Sequence, residues 1–252
     1  MKAAALALML CWLPPLLGCQ PLAPFDLPYR VSYGGAPLGA GRMSMSSPDG
    51  GSCFVYRLVA QPFSALRWLL GDLEQASRFC VRDGRIMPSS FHHRQGGDQD
   101  QSYQLEFDWA AGRVRGGGFG SSPLPEGALD PLSIQLHVRR WLCHALSENG
   151  EPASAPIQAT LVDRRGIRRY ALKVTAEQSV EVPAGVFRTY RVARADQDRT
   201  DTRFWLARDH DLLIVRARQQ RGDRPAVDIQ LQALAPAEKE VSPVQTPPAN
   251  SR

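Results

Sequence analysis

The chain runs to 252 residues, 43% of them hydrophobic and 22% charged, ordinary globular material with length for one domain with a sizeable core or two small ones. Its 30 basic residues leave a net charge of +5, and only Lys2, Lys173 and Lys239 among them are not arginine. A balance this weak and diffuse argues against nucleic acid as a partner and fits a solvated surface, with attraction to anionic head groups the sharper alternative.

Residues 3–17 follow Lys2 without a charge. The run has the length of a signal-peptide core and falls short of the about 20 apolar residues a spanning helix needs. Pro14 and Pro15 each remove a backbone donor and crowd the preceding turn, a further obstacle to a spanning helix. "LLGC" (16–19) resembles a bacterial lipoprotein signal, which implies cleavage ahead of Cys19 and a diacylglycerol on its sulfur. The alternative is plain secretion as a soluble periplasmic protein. Several acyl chains on one residue exceed the two signals that stable anchoring takes. Gln20 resembles the sorting context of periplasm-facing outer-membrane lipoproteins. The chain therefore opens on a signal peptide at 1–18 and a linker at 19–28.

From residue 29 onward, alternation with period 2 dominates. Tyr29, Val31 and Tyr33 point one way, and Met43 with Met45 repeats the pattern more weakly. Strands follow at 54–60 and 73–81, with "SALRWLLGD" (64–72) between them as a short helix capped at Ser64 and stopped by Gly71. Antiparallel pairing about the centre of this segment sets Cys53 opposite Cys80. An oxidising compartment permits that disulfide, and two small buried thiols fit the same pattern. In "YQLEFDW" (103–109), Tyr103, Leu105, Phe107 and Trp109 oppose Gln104, Glu106 and Asp108. "GRVRGGGFGSSPLPEGA" (112–128) reads as a long flexible loop, because no Gly-Lys-Ser/Thr follows to make a phosphate cradle.

The main helix is expected in "LDPLSIQLHVRRWLCHAL" (129–146). Asp130 is its N-cap, and Pro131 sits where a missing donor costs nothing. Ile134, Val138, Trp141, Leu142 and Ala145 share one face, with Arg139 and Arg140 outside it and Cys143 a buried helix residue. Further strands are expected at 157–162, 170–174, 186–194, 203–207, 212–217 and 227–232. One-sided alternation of this kind marks antiparallel sheet with one face on a core and one in water. From 235 to 252 the chain is polar, proline-rich and aperiodic, the composition of a disordered tail.

No catalytic, metal or cofactor site emerges. His92 and His93 are neighbours on a strand, face opposite sides and read as surface residues. His210 in "RDHD" (208–211) lies between carboxylates but reads as a polar turn. Cys143 and His144 point about 100° apart on the helix, which disfavours a thiolate pair. Capping accounts for Asp130 and Ser133 without a hydrolytic role. "DRRGIRRY" (163–170) gathers Arg164, Arg165, Arg168 and Arg169 at a hairpin tip, either solvated or in contact with lipid phosphates.

Three stretches, "LDPLS" (129–133), "VPAGVFRTYRV" (182–192) and "FWLARDHDLLIVRAR" (204–218), resemble domain-of-unknown-function family 3108 of exported bacterial proteins. "YRVSYGGAPLGAG" (29–41) and "GRIMPSSF" (84–91) fit its layout, while Ile214 stands where the family pattern has a proline. The resemblance covers about 29–234. It implies an envelope location and a single, mainly β domain of strongly curved antiparallel sheet, half-barrel or barrel-like, carrying the one main and one short helix. It implies no activity. The function expected is a non-catalytic envelope lipoprotein, joined to the membrane by its lipid anchor, whose concave β face binds a lipid or other hydrophobic ligand. The alternatives are a structural or assembly partner of an envelope protein and, least favoured, a hydrolase.

Overall fold

The computed structural model of the chain describes residues 19–64, 71–96, 101–152, 155–195 and 200–234. The signal peptide expected at 1–18, the disordered tail expected at 235–252 and the short helix expected within 64–71, apart from its end residues, lie outside the described residues.

Among the described residues, fifteen strands form one sheet. The first arm contains β1 (Phe25–Tyr33), β2 (Ala36–Ser46), β3 (Cys53–Pro62), β4 (Leu73–Arg82) and β5 (Arg85–Gln95), then the shorter β6 (Tyr103–Asp108), β7 (Arg113–Gly116) and β8 (Gly120–Pro123). After β9 (Ala128–Leu129) comes the helix α1 (Ser133–Asn149). The second arm holds β10 (Ile157–Asp163), β11 (Gly166–Val182), β12 (Gly185–Arg194), β13 (Thr200–Ala207), β14 (Ile214–Arg221) and β15 (Val227–Leu231). The spatial order runs from β8 down to β1, across to β15, and back down to β9. Every pairing is antiparallel except the two-residue match of β9 with β10, which α1 crosses over to make.

The sheet is strongly curved and does not close. Its two ends nonetheless approach each other, since the Gly118 amide donates to the Arg164 carbonyl at 3.0 Å. Helix α1 lies in the hollow as a wedge between two apolar clusters. Leu132 and Leu136 join Leu27, Tyr29, Met43 and Phe91 of the first arm. On the other side, Val138 and Leu142 join Leu172, Tyr190, Leu206 and Ile214 of the second. Sheet and helix each bury one side this way, so the hollow becomes the core. Gly150, at φ 72°, ends the helix by donating its amide to the Leu146 carbonyl.

Several expectations are corrected. Strand β1 begins at Phe25, inside the stretch read as linker, because Phe25 packs on the core cluster. The flexible loop at 112–128 contains β7 and β8. Among its hydrophobic residues only Val114 is buried before Ala128, so too little alternation existed to show a strand. Gly116, at φ 113°, is required there: a Cβ would lie 2.0 Å from the Gln104 carbonyl oxygen. Strand β11 extends far beyond the five residues expected. Strand β14 starts at Ile214, since Asp211 and Leu212 take positive φ in the turn before it.

The largest correction concerns Arg139, placed outside the helical face yet only 2% exposed. Its guanidinium donates to the Asp211 carbonyl at 3.0 Å and lies 5.5 Å from the centre of the Phe25 ring. It thereby ties α1 to the β13–β14 turn and to β1. Among the described residues the Nε has no hydrogen-bond partner, and burial pulls the guanidinium pKa down. Nearby, burial pushes the Tyr56 hydroxyl up to about 12, so that phenol is neutral and offers no counter-charge.

Candidate functional site

The helix does not fill the whole hollow. A cleft of about 470 Å³ is left between the second arm, the start of α1 and the far end of the first arm. That volume is within the range of small-molecule sites. Strand register builds its inner wall. Leu161 opposes Arg168 between β10 and β11, and Leu172 opposes Arg194 on β12. Val192 opposes Phe204, and across to β14 Leu206 opposes Ile214 while Thr200 opposes Arg221. Directly opposed residues project to the same face of a sheet, so these side chains form rows across five strands.

The rows change character in one direction. Along β13 the lining passes from Leu206 through Phe204 and Thr202 to Thr200, six residues or about 20 Å. Along β11 it passes from Leu172 through Tyr170 to Arg168, and along β14 from Ile214 to Gln219 and Arg221. Ile134 and Val138 of α1 cover the apolar end. The cleft therefore has an apolar depth and a polar, cationic mouth.

The first arm supplies the facing wall. His93 is hydrogen-bonded through Nδ1 to the Gln75 amide at 2.8 Å and stacks on Tyr103 with ring centres 5.4 Å apart. Burial and then the Arg164 charge hold the imidazole below its ordinary pKa. Burial raises the Tyr103 hydroxyl well above its usual range, helped by the charges of Asp163 and Asp130. A neutral imidazole and a neutral phenol thus face the arginines. His93 reads as a surface residue from its sequence, whereas the structure sets it in the cleft; His92, on the other side of β5, approaches Glu74 at 3.5 Å.

Of the four arginines singled out in the sequence, three line the mouth and Arg169 does not. Strand alternation decides this: Arg168 and Tyr170 face in, and Arg169 is exposed on the other side of β11. Arg168 pairs with Asp163. Arg194 and Arg221, on strands that sequence reasoning assigned no role, complete the cationic rim.

The remaining predicted residues lie elsewhere. Cys53 and Cys80 are directly opposed between β3 and β4 and joined in a disulfide. Cys19 is bonded to Cys143 of α1. A sulfur so bonded has no valence for a thioether, so the disulfide and lipid attachment are alternatives at one atom. Asp130 is wholly buried and accepts from the Ser77 hydroxyl at 2.6 Å and from the Leu132 and Ser133 amides at 2.8 and 3.0 Å. It caps the turn that leads into α1 and bolts that turn to β4. Burial raises its pKa, against the pull of those donors. His210 packs edge-on against Phe187 in the turn before β14. Among the described residues no cluster of three or more histidine, cysteine or acidic side chains could hold a metal ion, and no helix is long and apolar enough to cross a membrane.

The two half-buried histidines have a measurable consequence. Burial lowers the pKa of both His93 and His137 in the folded chain, the latter with help from Arg140. As the pH falls below about 6.5 the unfolded chain takes up protons that the native rings refuse, so these residues subtract stability on acidification. The raised Asp130 carboxyl acts in the opposite sense. Comparing variants separates the two: in urea titrations at about pH 7.5 and about pH 5.5, His93→Gln with His137→Gln should lose less stability on acidification than the parent. An equal loss would show that these rings do not titrate abnormally.

The sequence pattern of a family described as "Protein of unknown function (DUF3108)" matches residues 28–225. No curated protein matches the chain. Among solved structures, a β-barrel-like protein of domain of unknown function DUF1849 from Brucella abortus superposes with a TM-score of 0.52 at 14% identity, covering 84% of this chain and 97% of that one. MucB gives 0.34 at 14% identity over 87% and 57% of the two chains. An exported protein with a YmcC-like fold from Bacteroides fragilis gives 0.36 at 12% identity over 83% and 94%.

Proposed function

Because the chain belongs to the DUF3108 family, whose function is unknown, membership brings no activity with it, and we propose a non-catalytic cell-envelope protein whose cleft takes up the apolar part of a lipid or other hydrophobic ligand. The observation that carries this reading is the cleft itself, apolar in depth and open at a polar mouth, beside a helix that already fills the rest of the hollow. A core left incomplete at one place, with its lining in register across five strands, supports a built site rather than loose packing.

Native mass spectrometry of the purified protein tests it, together with uptake of an apolar dye. Leu161 lines the cleft and is only partly buried, so Leu161→Trp fills space at little cost to the fold. The parent should carry ligand or take up dye, and Leu161→Trp should lose either capacity while its melting temperature stays within about 5 °C. A parent that neither co-purifies with ligand nor takes up dye would overturn the reading.

The location rests on the sequence: an uncharged run ending in "LLGC" supports export and an acylated Cys19 at the periplasmic face of the outer membrane. The intact mass of protein extracted from membranes distinguishes the two fates of that sulfur. Acylation adds the mass of the lipid and leaves Cys143 open to alkylation. Unacylated protein whose Cys143 resists alkylation until reduced would refute the anchor.

A further inference from the structure

From the cleft's mouth we infer that the ligand is an acidic amphiphile: an apolar chain in the depth and a carboxylate or phosphate ester held by arginines at the rim. The inference rests on the cleft being a ligand site and adds the chemistry of the head. Among the described residues, five arginines line the cleft, Arg164, Arg165, Arg168, Arg194 and Arg221, against a single carboxylate, Asp163. They come from three strand ends and one hairpin tip, so the fold gathers them from places far apart in the chain.

Two of them are oriented in advance. Arg194 lies 4.3 Å and Arg168 lies 5.5 Å from the centre of the Tyr170 ring, so one ring positions two guanidinium groups of like charge. Like charges gathered around one ring in a partly dry site favour an anion between them. Among the described residues the buried Arg168 Nε has no hydrogen-bond partner, although another nitrogen of the same group pairs with Asp163. A buried donor left unmade is costly, and an incoming oxyanion would relieve it. The field of the rim already reaches inside, since Arg164 helps to hold His93 neutral. A neutral His93 and Tyr103 place no negative charge beside the head.

Direction matters as much as charge. The gradient from Leu206 to Thr200 on β13 and from Leu172 to Arg168 on β11 runs the same way, so a chain lying along the strands with its tail inward brings its head to the arginines. A free anion would use the rim and leave the apolar depth unfilled.

The experiment measures displacement of N-phenylnaphthylamine, an uncharged dye, from the purified protein by dodecanoate, dodecyl phosphate, dodecanol and inorganic phosphate. The two acidic amphiphiles should displace it at about tenfold lower concentration than dodecanol, and that preference should shrink with added salt. Arg168→Gln combined with Arg194→Gln should abolish the preference and leave dodecanol unchanged. Arg168→Lys with Arg194→Lys should retain part of it, and Arg169→Gln, facing outward, all of it. Inorganic phosphate alone should not displace the dye. Dodecanol matching the acids, or a preference that survives the double glutamine variant, overturns the acidic head and leaves a hydrophobic site standing. Phosphate that blocks dodecyl phosphate but spares dodecanol indicates a free-anion site and overturns the amphiphile. A protein that takes up no dye and binds no chain removes the ligand site, and this inference with it.

Discussion

Replacing Cys53 and Cys80 together by alanine should lower the free energy of unfolding by about 3.5 kcal/mol. The bond joins residues separated by 27 positions, and the chain-entropy relation for a loop of that size gives this figure. Cys53 is exposed and Cys80 only partly covered, so the substitution opens little cavity to confuse the reading. On a domain of this length the loss corresponds to a fall in melting temperature of about 10 °C. Urea unfolding of the double variant, with the Cys19–Cys143 pair left intact, measures it. A loss under about 1 kcal/mol would mean that the bond does not restrain the unfolded chain as supposed.

Arg139 supplies the second large effect. Arg139→Ala should cost about 2–4 kcal/mol, because it leaves a void beside Phe25 and strips the Asp211 carbonyl of its donor. Arg139→Met should recover most of that loss. Methionine restores the length of the side chain, and the guanidinium it replaces is desolvated with no carboxylate among the described residues in hydrogen-bond contact. Chemical denaturation of the two variants discriminates packing from charge. If methionine proves as damaging as alanine, the buried charge itself stabilises the fold.

What the sequence revealed and what it hid follow from the range of the interactions involved. Cys53 and Cys80 were legible because they sit on neighbouring strands, where pairing about a centre is a matter of counting. Alternation in 103–109 showed its strand because Leu105 and Phe107 bury while Gln104 and Glu106 do not. Arg139 was unreadable, since a charge in a helix is expected to face water and its partners come from Phe25 and Asp211, remote in sequence. The cleft was half visible. The arginine-rich hairpin stood out, but the role of Arg194 and Arg221 depends on register across β11 to β14, and only that register separates Arg168 from Arg169. His93 illustrates the same limit: its strand was recognised, while which face would be enclosed was set by the opposite arm.

The pairing of β1 with β15 has a consequence for how the molecule forms. Tyr29 meets Leu231 and Tyr33 meets Val227, so two strands about 200 residues apart in sequence meet mid-sheet. Each arm can assemble from successive hairpins as it emerges, but the joint between them waits for the last strand. Such distant contacts slow folding, and until they form β1 offers an open flank to any other extended chain. A copy ending before Val227 would therefore be expected to clump or be digested, and speed of maturation would be governed by this central suture.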